Sequence, residues 1–127
     1  MKTRQRILLV EDDKNCADLL HYVLVRAGFQ VDIAADGLQG QRLINNSANP
    51  PALVLTGLIL PYIDGYQLLQ QVRKTENWSQ VPIIVLSSKT QEQDIVRAFQ
   101  LGASDYVTKP FQLGELLARI DCRINES

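Results

Sequence analysis

Apolar residues follow two alternating patterns along this chain. Short apolar or alternating runs occupy residues 6–10, 29–35, 53–60, 81–86 and 106–108. After each run, apolar residues recur every three or four positions, as they do on one face of an amphipathic helix. Five such alternations indicate right-handed βαβ crossovers and parallel strands. The sequence therefore predicts an α/β fold, a doubly wound five-stranded parallel sheet with five helices.

Turn-forming residues indicate where the predicted helices end. Gly28 follows the first helical pattern and Gly102 follows the fourth, and each is placed as a helix C-cap. The second helix is predicted to stop before a polar loop at residues 45–51. The fourth helix, residues 91–101, is predicted to have an apolar face made of Ile95, Val96, Phe99 and Leu101.

The stretch from residue 53 to residue 65 is the centre of the predicted fold. Its first half is apolar without a helical period, which fits a strand buried on both faces. Pro61 and the pair Asp64-Gly65 then turn the chain toward the next helix. Such a strand delivers its last residue to the carboxyl edge of the sheet, where open α/β sheets place their chemistry. Here that residue is Gly57, which has no side chain.

Composition narrows the class of protein. The chain has 127 residues, of which 46% are apolar, and this fits one packed domain. A formal net charge of −1 argues against direct nucleic-acid binding. No apolar run reaches the roughly 18 residues of a membrane-spanning helix, and the run after the basic residues 1–6 is too short for a signal peptide. Cys16 and Cys122 form no metal-binding or CxxC pattern, so reduced thiols in a cytoplasmic protein are expected.

The parallel sheet brings distant polar residues together. Because every strand directs its carboxyl end to the same edge, that edge should gather Glu11, Asp12, Gly57, Ser87 and Lys109. Neighbouring carboxylates favour a hard divalent ion such as Mg²⁺, and a lysine can neutralise them. The set suits metal-assisted phosphoryl transfer, except that no nucleophile stands in its middle. A solvated strand end followed by a helix N-cap is the competing interpretation of these acids.

Four motifs resemble the receiver domain of bacterial two-component response regulators, the CheY-like family with a flavodoxin-like fold. They are ILLVEDD at 7–13, LPYIDG at 60–65, IVLS at 84–87 and GASDYVTKPF at 102–111, and they occur in the family's order. The resemblance covers residues 1–127 as a single receiver-like domain, and it leaves open whether an effector domain follows. It also implies that the protein is not an enzyme.

In that family a histidine kinase passes a phosphoryl group to an Asp at the end of the third strand. The resemblance implies that Glu11 and Asp12 are the metal-binding acids, Ser87 the switch hydroxyl and Tyr106 the switch aromatic. Lys109 matches the family's lysine, and the bond from Lys109 to Pro110 matches its cis peptide. The competing interpretation of Tyr106 is a half-buried aromatic residue at the edge of the sheet. The competing interpretation of Ser87 is a residue of an ordinary turn.

The chain departs from the family at its centre, because Gly57 stands at the phosphoacceptor position. Thr56 should face the opposite side of the strand, and Asp64 lies beyond the proline in the turn. The metal ligands left are Glu11, Asp12 and the backbone carbonyl of Ile59, so we expect Mg²⁺ binding to be weakened. Lys109 is then expected to balance the charge of Glu11 and Asp12.

The resemblance also implies a homodimer that forms through the fourth helix, fifth strand and fifth helix. Asp105 and Arg119 stand where one cross-subunit ion pair would lie, and Glu115 is placed for another. Ile95 replaces the expected basic partner, so this dimer is expected to be weakened. Ile95 and Phe99 are left to a different protein partner or to the core.

Three hypotheses for function follow. The first is a phosphorylation-independent protein-interaction module of a phosphorelay, with a histidine kinase, an effector domain or another signalling protein as partner. In a variant of this hypothesis, Gly57 is an engineered replacement of a phosphorylated Asp, although a natural loss is favoured. The second is a small Mg²⁺-dependent phosphoryl-transfer enzyme, against which the sequence shows no P-loop and no catalytic His. The third is a flavin-binding protein of the flavodoxin type.

Overall fold

A computed structural model of the chain describes residues 4–46 and 48–125. The two ends of the predicted 1–127 domain, and Ser47 of the predicted loop, lie outside the described residues. The strands are β1 (Arg6–Val10), β2 (Gln30–Ala34), β3 (Leu53–Gly57), β4 (Ile83–Ser87) and β5 (Asp105–Thr108). The helices are α1 (Lys14–Arg26), α2 (Gly37–Asn46), α3 (Gly65–Lys74), α4 (Glu92–Gln100) and α5 (Leu113–Ile124), with a 3₁₀ turn at Glu76–Trp78.

The strands form one parallel sheet in the order β2-β1-β3-β4-β5. The chain moves outward from β1 in one direction and then crosses back to continue in the other, which is the doubly wound arrangement. Every residue of β3 and of β4 is buried, as their continuous apolar sequences predict. The predicted fold class is confirmed.

The hydrophobic core has two parts, one on each face of the sheet. On one face, α1 and α5 contribute Leu20, Leu24, Leu116 and Ile120. On the other, α2 and α3 cover the sheet together with Trp78 of the 3₁₀ turn, whose side chain is almost fully buried. No helix among residues 4–46 and 48–125 is long and apolar enough to cross a membrane.

Two predicted features of the helices differ in the structure. Helix α2 continues to Asn46, so the predicted loop at 45–51 begins later. In α4, Ala98 is the buried residue, while Val96 and Phe99 are 42% and 46% exposed. Ala98 and the half-buried Leu101, the C-cap of α4, pack on the core, and the half-buried Ile95 lies one helical turn before Ala98. The predicted apolar face of α4 is therefore wrong for Val96 and Phe99.

Arg73, near the end of α3, joins three parts of the chain. Its Nε and Nη2 donate to the carbonyl oxygen of Gly102 at 3.0 and 2.6 Å, in the turn after α4. Its Nη1 donates to the carbonyls of Ser79 and Val81 at 3.0 and 2.6 Å, before β4. Gly102 has a φ of 113°, and a Cβ there would lie 2.7 Å from the Arg73 side chain. The sequence contains no pattern that predicts this clamp.

Candidate functional site

The ends of β1, β3, β4 and β5 meet at the carboxyl edge of the sheet around a small cleft of about 60 Å³. The predicted residues that line it are Glu11, Asp12, Gly57, Ile59, Ser87 and Lys109. Leu58, Leu86 and Ser88 line it as well and were not predicted, although each is adjacent in sequence to a predicted residue. Sequence reasoning therefore locates the cleft but not all of its wall.

Glu11 and Lys109 form an ion pair inside this cleft. Glu11 follows β1 directly and is only 3% exposed. The Lys109 Nζ, just beyond β5, donates to Glu11 Oε1 at 2.7 Å. The other carboxylate oxygen, Oε2, accepts a hydrogen bond from the backbone N–H of Asp13 at 3.1 Å. Both oxygens of Glu11 are thus engaged by donors of the domain itself.

The pairing determines the charge state of both groups. Burial alone raises the pKa of Glu11, but the hydrogen bonds from Lys109 and Asp13 and the charge of Lys109 outweigh it, so the pKa lies below its ordinary value. Burial alone lowers the pKa of Lys109, but the hydrogen bond to Glu11 and its negative charge raise it above its ordinary value. The two groups are therefore a charged pair at neutral pH.

The two acids after Glu11 have different environments. Asp13 is the N-cap of α1, where its Oδ1 accepts from the backbone N–H groups of Asn15 and Cys16 at 2.9 and 3.2 Å. Asp12 is exposed at the rim of the cleft. Partial burial, a hydrogen bond with Glu11 and the charge of Glu11 raise the pKa of Asp12. Asp12 is therefore the exposed carboxylate of the cleft wall, because Asp13 is not among the lining residues.

Gly57 is the last residue of β3 and lies on the floor of the cleft. A Cβ at this position would be 3.2 Å from Leu60 Cδ2, 3.7 Å from the Val10 carbonyl oxygen and 3.9 Å from Glu11 Oε2, so a side chain here would begin within reach of the Glu11 carboxylate. The buried Thr56 donates its Oγ1–H to the carbonyl of Gly57 at 2.9 Å. Asp64 caps α3 by accepting from the backbone N–H of Gln67 at 2.9 Å. Neither Thr56 nor Asp64 is among the residues that line the cleft.

The donor atoms at the cleft fit a divalent cation only in part. Glu11, Asp12 and Ile59 bring oxygen donors, the kind that Mg²⁺ prefers. Within residues 4–46 and 48–125, no group of three or more His, Cys, Asp or Glu could hold a metal ion. One oxygen of Glu11 already accepts from Lys109. A bound Mg²⁺ would thus have few protein ligands and would keep most of its water.

The two predicted switch residues are hydrogen-bonded to the backbone of the same loop residue, Lys89. Ser87, which ends β4, is buried, and its Oγ accepts from the backbone N–H of Lys89 at 3.1 Å. Tyr106 of β5 is half-buried and does not line the cleft; its hydroxyl donates to the Lys89 carbonyl at 2.8 Å. The backbone of Lys89 therefore connects both residues to the loop before α4. An exposed loop lysine gives no sequence signal of such a role.

The charged residues predicted to pair across a dimer pair within one chain. Arg119 Nη1 lies 3.0 Å from Asp105 Oδ2, and its Nη2 lies 3.0 Å from Glu115 Oε1. These contacts form because β5 and α5 are adjacent in the fold and because Glu115 is one helical turn from Arg119. Phe99 is exposed on α4 and Ile95 is half-buried, so of these two residues Phe99 presents the larger exposed fraction.

Comparison with known proteins points to one family. The chain matches the sequence model of the response regulator receiver domain over residues 7–121. It is 39% identical over 115 residues to the DNA-binding dual master transcriptional regulator RpaA of Synechocystis sp., which covers 91% of this chain and 47% of that protein. The chain spans about half the length of the curated relatives it matches.

Solved structures give the same result. A CheY-like response regulator receiver domain protein from Methanospirillum hungatei superposes with a TM-score of 0.90 at 28% identity, covering 98% of this chain and 96% of that one. The receiver domain of a sensor histidine kinase from Pseudomonas aeruginosa superposes with a TM-score of 0.86 at 33% identity, covering 96% and 98%. That second structure has a magnesium ion coordinated in its active site cleft.

Proposed function

The chain belongs to the response regulator receiver family of two-component signalling, and from this premise we propose that it works as a protein-interaction module without phosphorylation at position 57. Its output would be set by a bound partner or a linked domain that shifts the population of its conformations. We propose a cytoplasmic location and no catalytic turnover of its own.

The environment of Gly57 is the observation that carries this proposal. A side chain at position 57 would begin within reach of Glu11 in the cleft, and Gly57 supplies none. A carboxylate is needed there, because only an acyl phosphate gives the labile linkage of an Asp-phosphate signal. Thr56 is buried and hydrogen-bonded to the backbone, and Asp64 is occupied as a helix cap, so neither neighbour is a substitute.

Weakened Mg²⁺ binding belongs to the same proposal. A carboxylate at position 57 would add a third acid beside Glu11 and Asp12. Without it, the cleft offers one exposed acid, Asp12, and one acid that is already paired with Lys109. Mg²⁺ binds weakly to a site in which few carboxylates replace its coordinated water.

The test compares this chain with two variants, Gly57→Asp and Gly57→Asn. Each is incubated with acetyl phosphate and Mg²⁺, and its intact mass is measured. Gly57→Asn is the matched control, because its side chain has the size of Asp without a nucleophilic carboxylate. We expect a phosphate-sized gain in the Asp variant alone, because the tightest contact of a Cβ at position 57 is 3.2 Å to Leu60 Cδ2, the end of a flexible side chain that can shift by a few tenths of an ångström.

Each outcome has a defined meaning. A phosphate gain in the present chain would overturn the proposal, since another residue would then accept the phosphoryl group. A gain in the Asp variant alone would mean that the cleft retains its chemistry apart from the nucleophile. If no chain gains a phosphate, the cleft has lost more of what phosphoryl transfer requires than the carboxylate at position 57.

For the partner we propose the surface formed by α4, β5 and α5. Phe99 and Val96 expose apolar area there, and Ile95 lies beside them. A homodimer through this surface should be weak, because Asp105 and Glu115 are already paired with Arg119 within the chain. Sedimentation equilibrium tests this: a monomer at micromolar concentration is expected, and a stable dimer that Phe99→Ser leaves intact would contradict the assignment.

A linked effector domain is the intramolecular partner that we propose. The curated relatives are about twice as long as this chain, and several are named as DNA-binding regulators. In the full-length protein, DNA binding would then belong to the linked domain and not to residues 1–127. An electrophoretic mobility shift assay of this chain alone should therefore show no DNA binding.

A further inference from the structure

We infer that Lys109 is the resident counter-cation of the cleft, and that its ion pair with Glu11 makes the folded domain independent of Mg²⁺. The inference rests on the proposed function in one respect, because it takes Gly57 as the residue with which the cleft operates. The positive charge of Lys109, and not only the small number of ligands, then keeps Mg²⁺ out of the cleft.

The burial of Glu11 requires a nearby cation. A carboxylate that is 3% exposed is costly to keep charged unless it is paired and hydrogen-bonded. Lys109 Nζ, 2.7 Å from Oε1, supplies the charge, and the N–H of Asp13 satisfies Oε2. The pair is neutral as a whole, so Asp12 is the remaining negative charge on the cleft wall.

A metal ion and Lys109 would compete for the same oxygens. Mg²⁺ at Glu11 would either displace an ammonium group from Oε1 or lie close to it, and like charges at such distances repel strongly. A carboxylate at position 57 would begin within reach of Glu11 and would give either cation a second acid. With glycine there, one buried carboxylate must serve both cations, and Lys109 is tethered to it.

The experiment measures Mg²⁺ binding in the present chain and in Lys109→Met, by calorimetric titration and by thermal unfolding at constant ionic strength. Methionine keeps the length of the side chain and removes its charge. Lys89→Met is the matched control, because Lys89 is an exposed lysine near the cleft whose observed contacts are made by its backbone. Gly57→Asp is measured in parallel.

The expected result is a gain of metal binding on loss of the lysine. The present chain and Lys89→Met should show no rise in Tm with Mg²⁺. Lys109→Met should have a lower Tm without metal, should be restored toward the original Tm by Mg²⁺, and should bind the ion about tenfold more tightly or better, which corresponds to about 1.4 kcal/mol.

Two results would overturn the inference. One is a rise in Tm with Mg²⁺ in the present chain equal to that in Lys109→Met, and the other is no Mg²⁺ response in Lys109→Met. If Lys109→Met does not fold without metal, Mg²⁺ must restore its folding and the double variant Glu11→Gln/Lys109→Met must fold without it; failure of either contradicts the assigned role. Phosphorylation is read separately by mass, so a failure of the proposed function is distinguishable from a failure of this inference.

Discussion

Lys109 and Arg73 are both half-buried cations, but they stabilise opposite parts of the molecule in different ways. Lys109, at the carboxyl edge, makes one short contact to a buried carboxylate, Glu11. Arg73, beneath the turn after α4, makes four hydrogen bonds, all to backbone carbonyl oxygens. The first contact neutralises a charge, whereas the second satisfies carbonyl groups of two chain segments, residues 79–81 and Gly102, at fixed positions.

The difference indicates which site can change its chemistry. An ion pair needs a positive charge near Glu11, and another cation can in principle supply it. The Arg73 contacts need several donors in a planar fork, which a lysine or a metal ion does not reproduce. We therefore expect the carboxyl edge to tolerate exchange of its cation, and the Arg73 clamp to be intolerant of any replacement.

The largest expected effect comes from removing Arg73. Arg73→Met should lower the free energy of unfolding by about 2–4 kcal/mol, because the carbonyls of Gly102, Ser79 and Val81 lose a charged donor and are partly shielded from water. Arg73→Lys should recover less than half of the loss, since an ammonium cannot reach three carbonyls at once. Urea unfolding followed by the fluorescence of the buried Trp78 measures both.

Arg42 is a matched control for this prediction. It is an exposed arginine on α2, and Arg42→Met should change the free energy of unfolding by less than about 0.5 kcal/mol. If Arg73→Lys were as stable as the original chain, charge and not the shape of the guanidinium would be the important property. The contrast with Lys109 would then disappear.

A smaller effect is expected for the coupling between Glu11 and Lys109. In a double-mutant cycle with Glu11→Gln and Lys109→Met, we expect an interaction energy of about 1–2 kcal/mol, because Glu11 is buried but the Lys109 side chain is 29% exposed to solvent. Urea unfolding of the four chains in metal-free buffer provides the values. A coupling near zero would mean that the ion pair contributes nothing to stability, in contrast to the Arg73 clamp.

The same contrast explains what the sequence could predict. The buried runs of β3 and β4 and the turn residues around them determine the fold class, and the parallel sheet then brings Glu11, Gly57 and Lys109 to one edge. These inferences need only the order of the strands. They therefore succeed without any knowledge of tertiary distances.

Contacts between side chains and distant backbone could not be predicted in this way. Arg73 reaches carbonyls that differ from it by up to 29 positions in sequence, and no residue type marks a carbonyl as a partner. The prediction of the apolar face of α4 was wrong for a related reason. A short helix packs through a narrow stripe, so a small residue, Ala98, faces the sheet while larger ones are exposed.

Backbone strain gives a third, smaller test of the two regions. Next to Arg73 the left-handed conformation belongs to Gly102, whereas in the loop after β3 it belongs to Tyr62, with a φ of 71° and a side chain that is 80% exposed. Tyr62→Gly should raise the free energy of unfolding by about 0.5–1 kcal/mol, because glycine adopts this conformation without strain. Tyr62→Ala, which keeps the Cβ, should give no such gain in urea unfolding. Equal gains would mean that the ring and not the backbone is costly.

The two cysteines test the electrostatics of the carboxyl edge with no expected effect on stability. Burial and the neighbouring carboxylate of Glu11 raise the pKa of the Cys16 thiol from 9.0 to about 11, whereas Cys122 is exposed on α5. Because only the thiolate reacts, alkylation of Cys16 by iodoacetamide should be about a hundredfold slower than that of an unperturbed thiol, and its rate should keep rising with pH up to about 11. Intact mass should show one fast addition, which Cys122→Ser removes. Two equally fast additions would mean that neither burial nor Glu11 suppresses the Cys16 thiolate, and that the carboxyl edge is more open to solvent than its buried ion pair requires.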